Sequence, residues 1–490
     1  MEDLKLRKKN LIMFPLGTIG RDMEYYLFTS CIMTFVLFTR NLTSAQFAAI
    51  TVIVVAARIF DALNDPIMGN IIERTRTRWG KFKPWLVIGI LSTSIVVYLA
   101  FNVGLQGWGF VWFFGIVYFM YSITFTMNDI SYWGMVPALS SDANARNQFT
   151  SRATLFAGIG STLASVLIPM LTVGKNAIGG STTTAYGIIA LVICILAPLF
   201  MCFTIFGVRE KREYTDAPPV SFKKIWKTIT GNDQLLWISL IFLIQQIGNG
   251  LIIGGLGSTY IYFDFGYNGG LFSLFSIIGM SVTAFLMILY PAISRRIKRK
   301  KLMSVLVVIS VLGYAVMLLA GLFLPSEMPK FWAVVIGYML SNFGQYGFYL
   351  VMMISIINTV EYNEYISGQR DEAIIASLRP FLTKLSSALI ILITNISYII
   401  FGVTDYTNRI SDLENQCARN MITETDKISL IDSVINGIAS WQTLALLLCM
   451  AIIPCALMLT SYVLYKKRYK LDEDEYARIC AELEARKEKA

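Results

Sequence analysis

The sequence predicts an all-α membrane protein, with twelve transmembrane helices in two six-helix bundles and both termini cytoplasmic. Three observations predict it. Of the 490 residues, 55% are hydrophobic and only 15% charged, against roughly 25% charged in a soluble domain. The apolar runs reach the roughly 20 residues that a helix needs to cross the hydrocarbon. They are too long and too weakly alternating for the roughly ten-residue strands of a barrel. The basic residues behind the net charge of +10 gather in short segments on alternate sides of the runs, as the positive-inside rule requires.

The spans follow in order. The first, 13–39, follows a basic start. It resembles a signal peptide only briefly, because Arg21, Asp22 and Glu24 interrupt it and no small-residue cleavage site follows, so it reads as a retained span. The next five lie at 45–73, 84–103, 108–137, 147–173 and 183–208. The last six lie at 235–263, 270–293, 302–324, 331–360, 373–403 and 437–465. Basic groups at 5–9, 74–83, 209–227, 295–301 and 466–470 all fall on one side. The opposite loops, such as 104–109 and 174–180, are nearly free of them, and the polar loop 404–436 suits the outer side.

The basic stretch 209–234, with Ala217-Pro218-Pro219, divides the spans six and six, and the second loop of each half is similarly basic (IIERTRTRWGKFKPW and AISRRIKRKKLM). The domain reading is an N-terminal bundle at 1–208, a cytoplasmic linker at 209–234, a C-terminal bundle at 235–465 and a cytoplasmic tail at 466–490 that carries a solvated helix. Two six-span halves joined this way are the architecture of major-facilitator carriers, with the ligand between the halves near midplane.

Composition excludes much. There is no histidine, so imidazole catalysis and His proton relays are absent. The seven cysteines show no metal or disulfide spacing. No phosphate loop or nucleophile elbow is present, so the chain reads as no enzyme, with no cofactor. Clustering of the basic residues beside spans argues against nucleic acid as a partner.

The informative residues are charges inside spans, each costing about 2.5–3.5 kcal/mol at a helix centre. They are Arg21 and Asp22 in span one, Arg58, Asp61 and Asp65 in span two, Asp129 in span four, Arg152 in span five and Lys384 in span eleven. Glu24 is assigned to the outer interface and left outside the site. Asp61 and Asp65 are four apart and share a helix face, with Asn64 beside it. Two close carboxylates repel unless a cation sits between them or one takes a proton. Na⁺ at Asp61 and Asp65 meets the first condition and H⁺ the second, and Thr126 offers a hydroxyl if spans two and four adjoin. The alternative is structural pairing, Arg58 with Asp61 or Asp65, and Lys384 or Arg152 with Asp129. Asp22, Asp129 and Arg152 suit the paired hydroxyls of a sugar, and Trp133, one turn beyond Asp129, suits its apolar face. The glycines in spans (Gly158, Gly160, Gly248, Gly250, Gly254, Gly255, Gly257) read as close helix packing.

RIFDALNDPIMG (58–69) followed by TRTRWGKFKPWL (75–86) closely resembles the signature of the glycoside–pentoside–hexuronide:cation symporters. TFTMNDISYWGMVPAL (124–139), VEYNEYISGQRDEAI (360–374), LRPFLTKLSSAL (378–389) and YKLDEDEY (469–476) are similar to the same family. The resemblance implies a major-facilitator fold and import of a glycoside with Na⁺ or H⁺ by alternating access. It implies cation binding at Asp61, Asn64, Asp65 and Thr126, and sugar binding at Arg21, Asp22, Asp129, Trp133 and Arg152. It gives Lys384 the role of linking the two sites. Arg58 joins it in the coupling set. Arg21 stands where the family's melibiose symporter has a lysine, and Phe125 where it has a tyrosine. The partners expected are a small glycoside, a monovalent cation and the lipid bilayer of a bacterial plasma (inner) membrane, around a monomer. Competing expectations are a lysolipid-type carrier and a transporter-like membrane sensor.

Overall fold

In the computed structural model, residues 2–139, 143–208, 222–294, 296–369 and 371–489 are described, and every element among them is helical. The helices are α1 (Glu2–Thr39), α2 (Ser44–Arg74), α3 (Lys83–Asn102), α4 (Gly107–Leu139), α5 (Ala143–Thr172), α6 (Thr182–Gly207), α7 (Phe222–Gly231), α8 (Asp233–Gly250) and α9 (Gly257–Phe265). They continue with α10 (Gly269–Ser294), α11 (Arg299–Phe323), α12 (Met328–Ser367), α13 (Glu372–Ile400), α14 (Val403–Ala418), α15 (Glu424–Asn436), α16 (Ser440–Arg468) and α17 (Glu473–Lys489). Eleven segments among the described residues are long and apolar enough to cross a membrane, counting α8 to α9 as one. With α1, whose central charges keep it out of that set, the twelve expected spans are in place. The protein is a multi-pass membrane protein.

Local chemistry sets the ends. Thr43 caps α2 by accepting a hydrogen bond from the Gln46 amide, while the Gln46 side chain accepts one from the Thr43 amide at 3.0 Å. Ser181 and Asn232 cap α6 and α8 with side chains that accept from the Thr184 and Leu235 amides.

Four segments carry local structure that the sequence reading does not specify. Residues 209–221 of the expected linker, with Ala217-Pro218-Pro219, lie outside the described residues, but 222–231 forms α7 and the next helix begins at Asp233. Span seven is broken: between α8 and α9, Ile252–Leu256 forms a π-helical turn, with Gly255 at φ 138°. The polar loop 404–436 folds as two helices, α14 and α15. The tail is helical as expected, but Ile479 and Leu483 are buried rather than solvated.

The chain divides into two compact units that do not follow its halves. Unit 1 is Met1–Ala217, Gly266–Leu274 and Tyr398–Ile438; unit 2 is Pro218–Phe265, Phe275–Ser397 and Ala439–Ala490. The core of unit 1 packs Phe14, Met68, Leu86, Tyr132, Phe149 and Met201. In unit 2 it packs Phe242, Met303, Phe348, Met352, Met458 and Tyr465, and extends to Ile479 of α17.

Within unit 1, α1 runs between α5 and α6 with almost no gap. A Cβ on Gly20 would come within 2.7 Å of the Ala197 backbone, and one on Gly160 would collide with the carbonyl of Ile19. Gly160 therefore serves close packing as expected. Gly158 meets nothing within 4 Å, and Gly255 answers to its backbone conformation instead.

Candidate functional site

The charged residues of unit 1 form two groups that share α4. In the first, α2 presents Asp61 and Asp65 one turn apart. The Ser122 hydroxyl of α4 donates to Asp61 Oδ1 at 2.7 Å. One turn on, Thr126 Oγ1 lies 3.1 Å from Asp61 Oδ1 and 3.4 Å from Asp65 Oδ1. The Thr126 hydroxyl therefore bridges the two carboxylates. Asn64, 8% exposed, lies next to Asp65 in sequence, and its Nδ2 has no hydrogen-bond partner. Pro66 follows in the helix and has no N–H to give the carbonyl four residues before it, an oxygen flanked in sequence by the two aspartates. Carboxylates, hydroxyls and carbonyls are hard oxygen donors. Among the described residues, no three Asp, Glu or Cys converge as a metal site. The set is small, with two carboxylates and two hydroxyls.

In the second group, Arg21 of α1 is 3% exposed and engages two acids. Its Nε and Nη2 donate to Asp22 Oδ2 at 3.0 and 2.8 Å, and Nη1 lies 3.2 Å from Asp129 Oδ1. The guanidinium sits 4.8 Å from the ring centroid of Tyr132 and 5.6 Å from that of Trp133. Tyr132 is held in turn by donating its hydroxyl to the Phe14 carbonyl at 2.8 Å. Asp129 is about 41% exposed, so this charge network has an open edge beside a half-buried Trp133. Partly paired carboxylates and a forked guanidinium next to an aromatic face suit vicinal hydroxyls.

The structure thus brings together Asp61, Asp65 and Thr126, and separately Arg21, Asp22, Asp129 and Trp133. Within unit 1, Arg21 is a cation that faces Asp129. Arg152 on α5 is exposed and donates to the Leu11 carbonyl at 3.2 Å, ten residues or about 15 Å down α1 from Arg21. Arg58 is buried, with its guanidinium 5.9 Å from the Tyr118 ring centroid. Lys384 lies on α13 in unit 2, one turn past Pro380, and its carbonyl accepts from Ser387 Oγ at 2.7 Å.

Three residues escape the sequence reading. Ser122 stands one turn before Thr126, and that i, i+4 hydroxyl spacing was its only signal. Tyr132, under Arg21, carries none. Glu24 does not face an interface: it is fully buried at 0% exposure.

With the geometry in hand, the relatives can be placed. The sequence pattern of the MFS/sugar transport protein family matches residues 13–473. The chain is 30% identical over 403 residues to a lactose permease of Leuconostoc lactis, covering 77% of this chain and 60% of the relative. It is 28% identical over 494 residues to a raffinose carrier protein of Pediococcus pentosaceus, covering 96% of this chain and 71% of the relative. This chain therefore spans about 60–71% of the length of these relatives. The fold is similar to that of a bacterial homologue of the human lysosomal transporter Spinster, in its inward-facing, unoccupied conformation. That match has a TM-score of 0.61 at 12% identity and covers 96% of this chain and 99% of that one. A family pattern that runs through both units, from span one into the tail, decides the matter: the chain belongs to the MFS/sugar transport protein family.

Proposed function

We propose that the protein imports a glycoside, an oligosaccharide or sugar conjugate, across a bacterial plasma membrane by symport with Na⁺ or H⁺. It would work by alternating access, as a monomer with both termini cytoplasmic and no resident cofactor. The names of its relatives, a lactose permease and a raffinose carrier, support the substrate class. The observation that carries the coupling is the sharing of α4. Thr126, which bridges Asp61 and Asp65, and Asp129, which faces Arg21, are three residues apart, a rise of about 4.5 Å.

In this reading Asp61, Asn64, Asp65, Thr126 and Ser122 take the cation. Arg21, Asp22, Asp129 and Trp133 take the sugar, with Arg152, Arg58 and Lys384 as further members from the family resemblance. Without a cation, two carboxylates one turn apart repel and pull the Thr126 hydroxyl between them. A cation or proton removes that repulsion and fixes the turn of α4 that ends at Asp129. Each ligand then strengthens the other by the same factor.

The test is thermal stability of the purified protein against a panel of glycosides in sodium and in choline buffer, each at two pH values. A ligand at about 100 times its Kd adds roughly 2.7 kcal/mol of stability. A glycoside that stabilises more in sodium identifies Na⁺, and one that stabilises equally in both buffers but more at lower pH identifies H⁺. Stabilisation by lysolipid and by no glycoside would overturn the proposal. Asp65→Cys should keep glycoside stabilisation and lose its ion dependence. Full ion-driven uptake by that variant would sink the cation site.

A further inference from the structure

Unit 1 holds a buried acid that neither group uses. Glu24 lies one turn beyond Arg21 on the same face of α1. Its side chain is 0% exposed, its Oε1 faces the Cys194 thiol of α6 at 3.8 Å, and its Oε2 has no hydrogen-bond partner. The Ser94 hydroxyl of α3 borders it.

Other charges and hydroxyls near it are already engaged or are neutral. Arg21 is held by Asp22 and Asp129. Arg58 of α2 is surrounded by Tyr118, Tyr25, Asp61 and Tyr121. From α4 comes the buried hydroxyl of Tyr121, without a hydrogen-bond partner. Arg152 of α5 bonds the Leu11 carbonyl, more than three turns away. Glu414 of α14 is paired with Lys427. Among the described residues, no Lys or Arg forms an ion pair with Glu24.

An isolated carboxylate in such surroundings is far costlier than the neutral acid, so the group takes a proton rather than hold its charge. Thiol and hydroxyl neighbours are weak donors that do not compensate an anion. We propose that Glu24 is a proton-binding site, held as the neutral acid inside unit 1 and separate from the Asp61–Asp65 carboxylates. The hydroxyls of Ser94 and Tyr121 beside it are partners for the proton as it arrives or leaves. A state of the protein that admits water to this space would release the proton, which ties Glu24 to the conformational cycle. That last link rests on the symport reading; the protonation does not.

Infrared spectroscopy of the purified full-length protein tests it. The wild type at neutral pH should show the C=O stretch of a protonated carboxylic acid, shifted in D₂O. The band should vanish in Glu24→Gln, move in Glu24→Asp and persist in Asp65→Cys. Glu24→Gln should keep its glycoside stabilisation while the pH dependence of that stabilisation flattens. No such band in the wild type, or the same band in a folded Glu24→Gln, overturns the proposal. If no glycoside stabilises the protein but the band behaves as described, the symport reading fails and the proton site stands.

Discussion

Ser122 shows what single residues contribute here. Its hydroxyl donates to Asp61 at the shortest distance in the cluster, 2.7 Å. Ser122→Ala removes one charge-assisted bond and leaves both carboxylates in place. The expected loss is about 2 kcal/mol, or about thirtyfold in the cation concentration needed for half-maximal glycoside stabilisation. A titration of thermal stability with the coupling ion measures it; an unchanged midpoint would remove Ser122 from the site. Asp61, Asp65 and Thr126 are legible in the sequence, because charge in an apolar run has few innocent explanations and i, i+4 spacing fixes a shared face. Ser122 is not, since a lone hydroxyl in a span commonly bonds its own helix. The surroundings of Arg152 and Glu24 are not legible for another reason. The sequence tells that a charge lies in a span, but not which neighbouring helix its side of the span meets. Glu24 looks into the α1–α3–α6 seam and Arg152 down toward Leu11.

At the scale of elements, two glycines that look alike in the sequence should respond in opposite directions. Gly255 sits at φ 138° in the π-helical turn between α8 and α9, where a side chain is strained. Gly255→Ala should cost about 1–3 kcal/mol. Gly158, in the middle of α5 with nothing near its missing Cβ, should gain about 0.5–1 kcal/mol as Ala through helix propensity. Melting temperatures of the two variants check both signs together. The broken span also explains why hydropathy drew α8 to α9 as one crossing: the interruption is made of apolar and small residues, so nothing in the composition marks it. The helices α14 and α15 are hidden by the reverse effect. Their polar content reads as loop, yet Glu414 and Lys427, both 0% exposed, meet at 3.3 Å and bind the start of α6 through Thr182 and Gly180. Burial pushes the Glu414 carboxyl up, against the pull of Lys427 and Thr182.

Across the whole molecule, span number, span length and the acidic cluster are legible because the bilayer imposes them residue by residue. The composition of the two units is not, because a contact between residues hundreds of positions apart leaves no periodicity. One such contact ties the tail to unit 2. Asp472, Glu473 and Asp474 face Lys300, Arg299 and Lys298 at 2.9, 3.1 and 2.7 Å. A hydrogen bond from Lys300 holds the Asp472 carboxyl below its usual range. Burial works to raise Glu473, but the Arg299 backbone N–H and guanidinium outweigh it. Both carboxylates are lower in the folded state, so their contribution is present above the ordinary carboxylate range near about pH 4 and is lost as pH falls through the lowered values. Hydrogen exchange over 473–489 should show protection at neutral pH that disappears on acidification and weakens in high salt. Protection indifferent to both would mean that the apolar contacts of Ile479 and Leu483 hold the helix alone.

The assignment of residues 398–438 to unit 1 has a consequence for how the protein is made. Asn408 and Asn415 of α14 donate to the carbonyls of Leu42 and Thr39, and Glu414 accepts from the Thr182 amide. The ribosome delivers α14 only after 218–397 has been synthesised, a delay of about 10–40 s at usual elongation rates. Throughout that interval the first six membrane helices wait in the bilayer with those backbone groups uncapped.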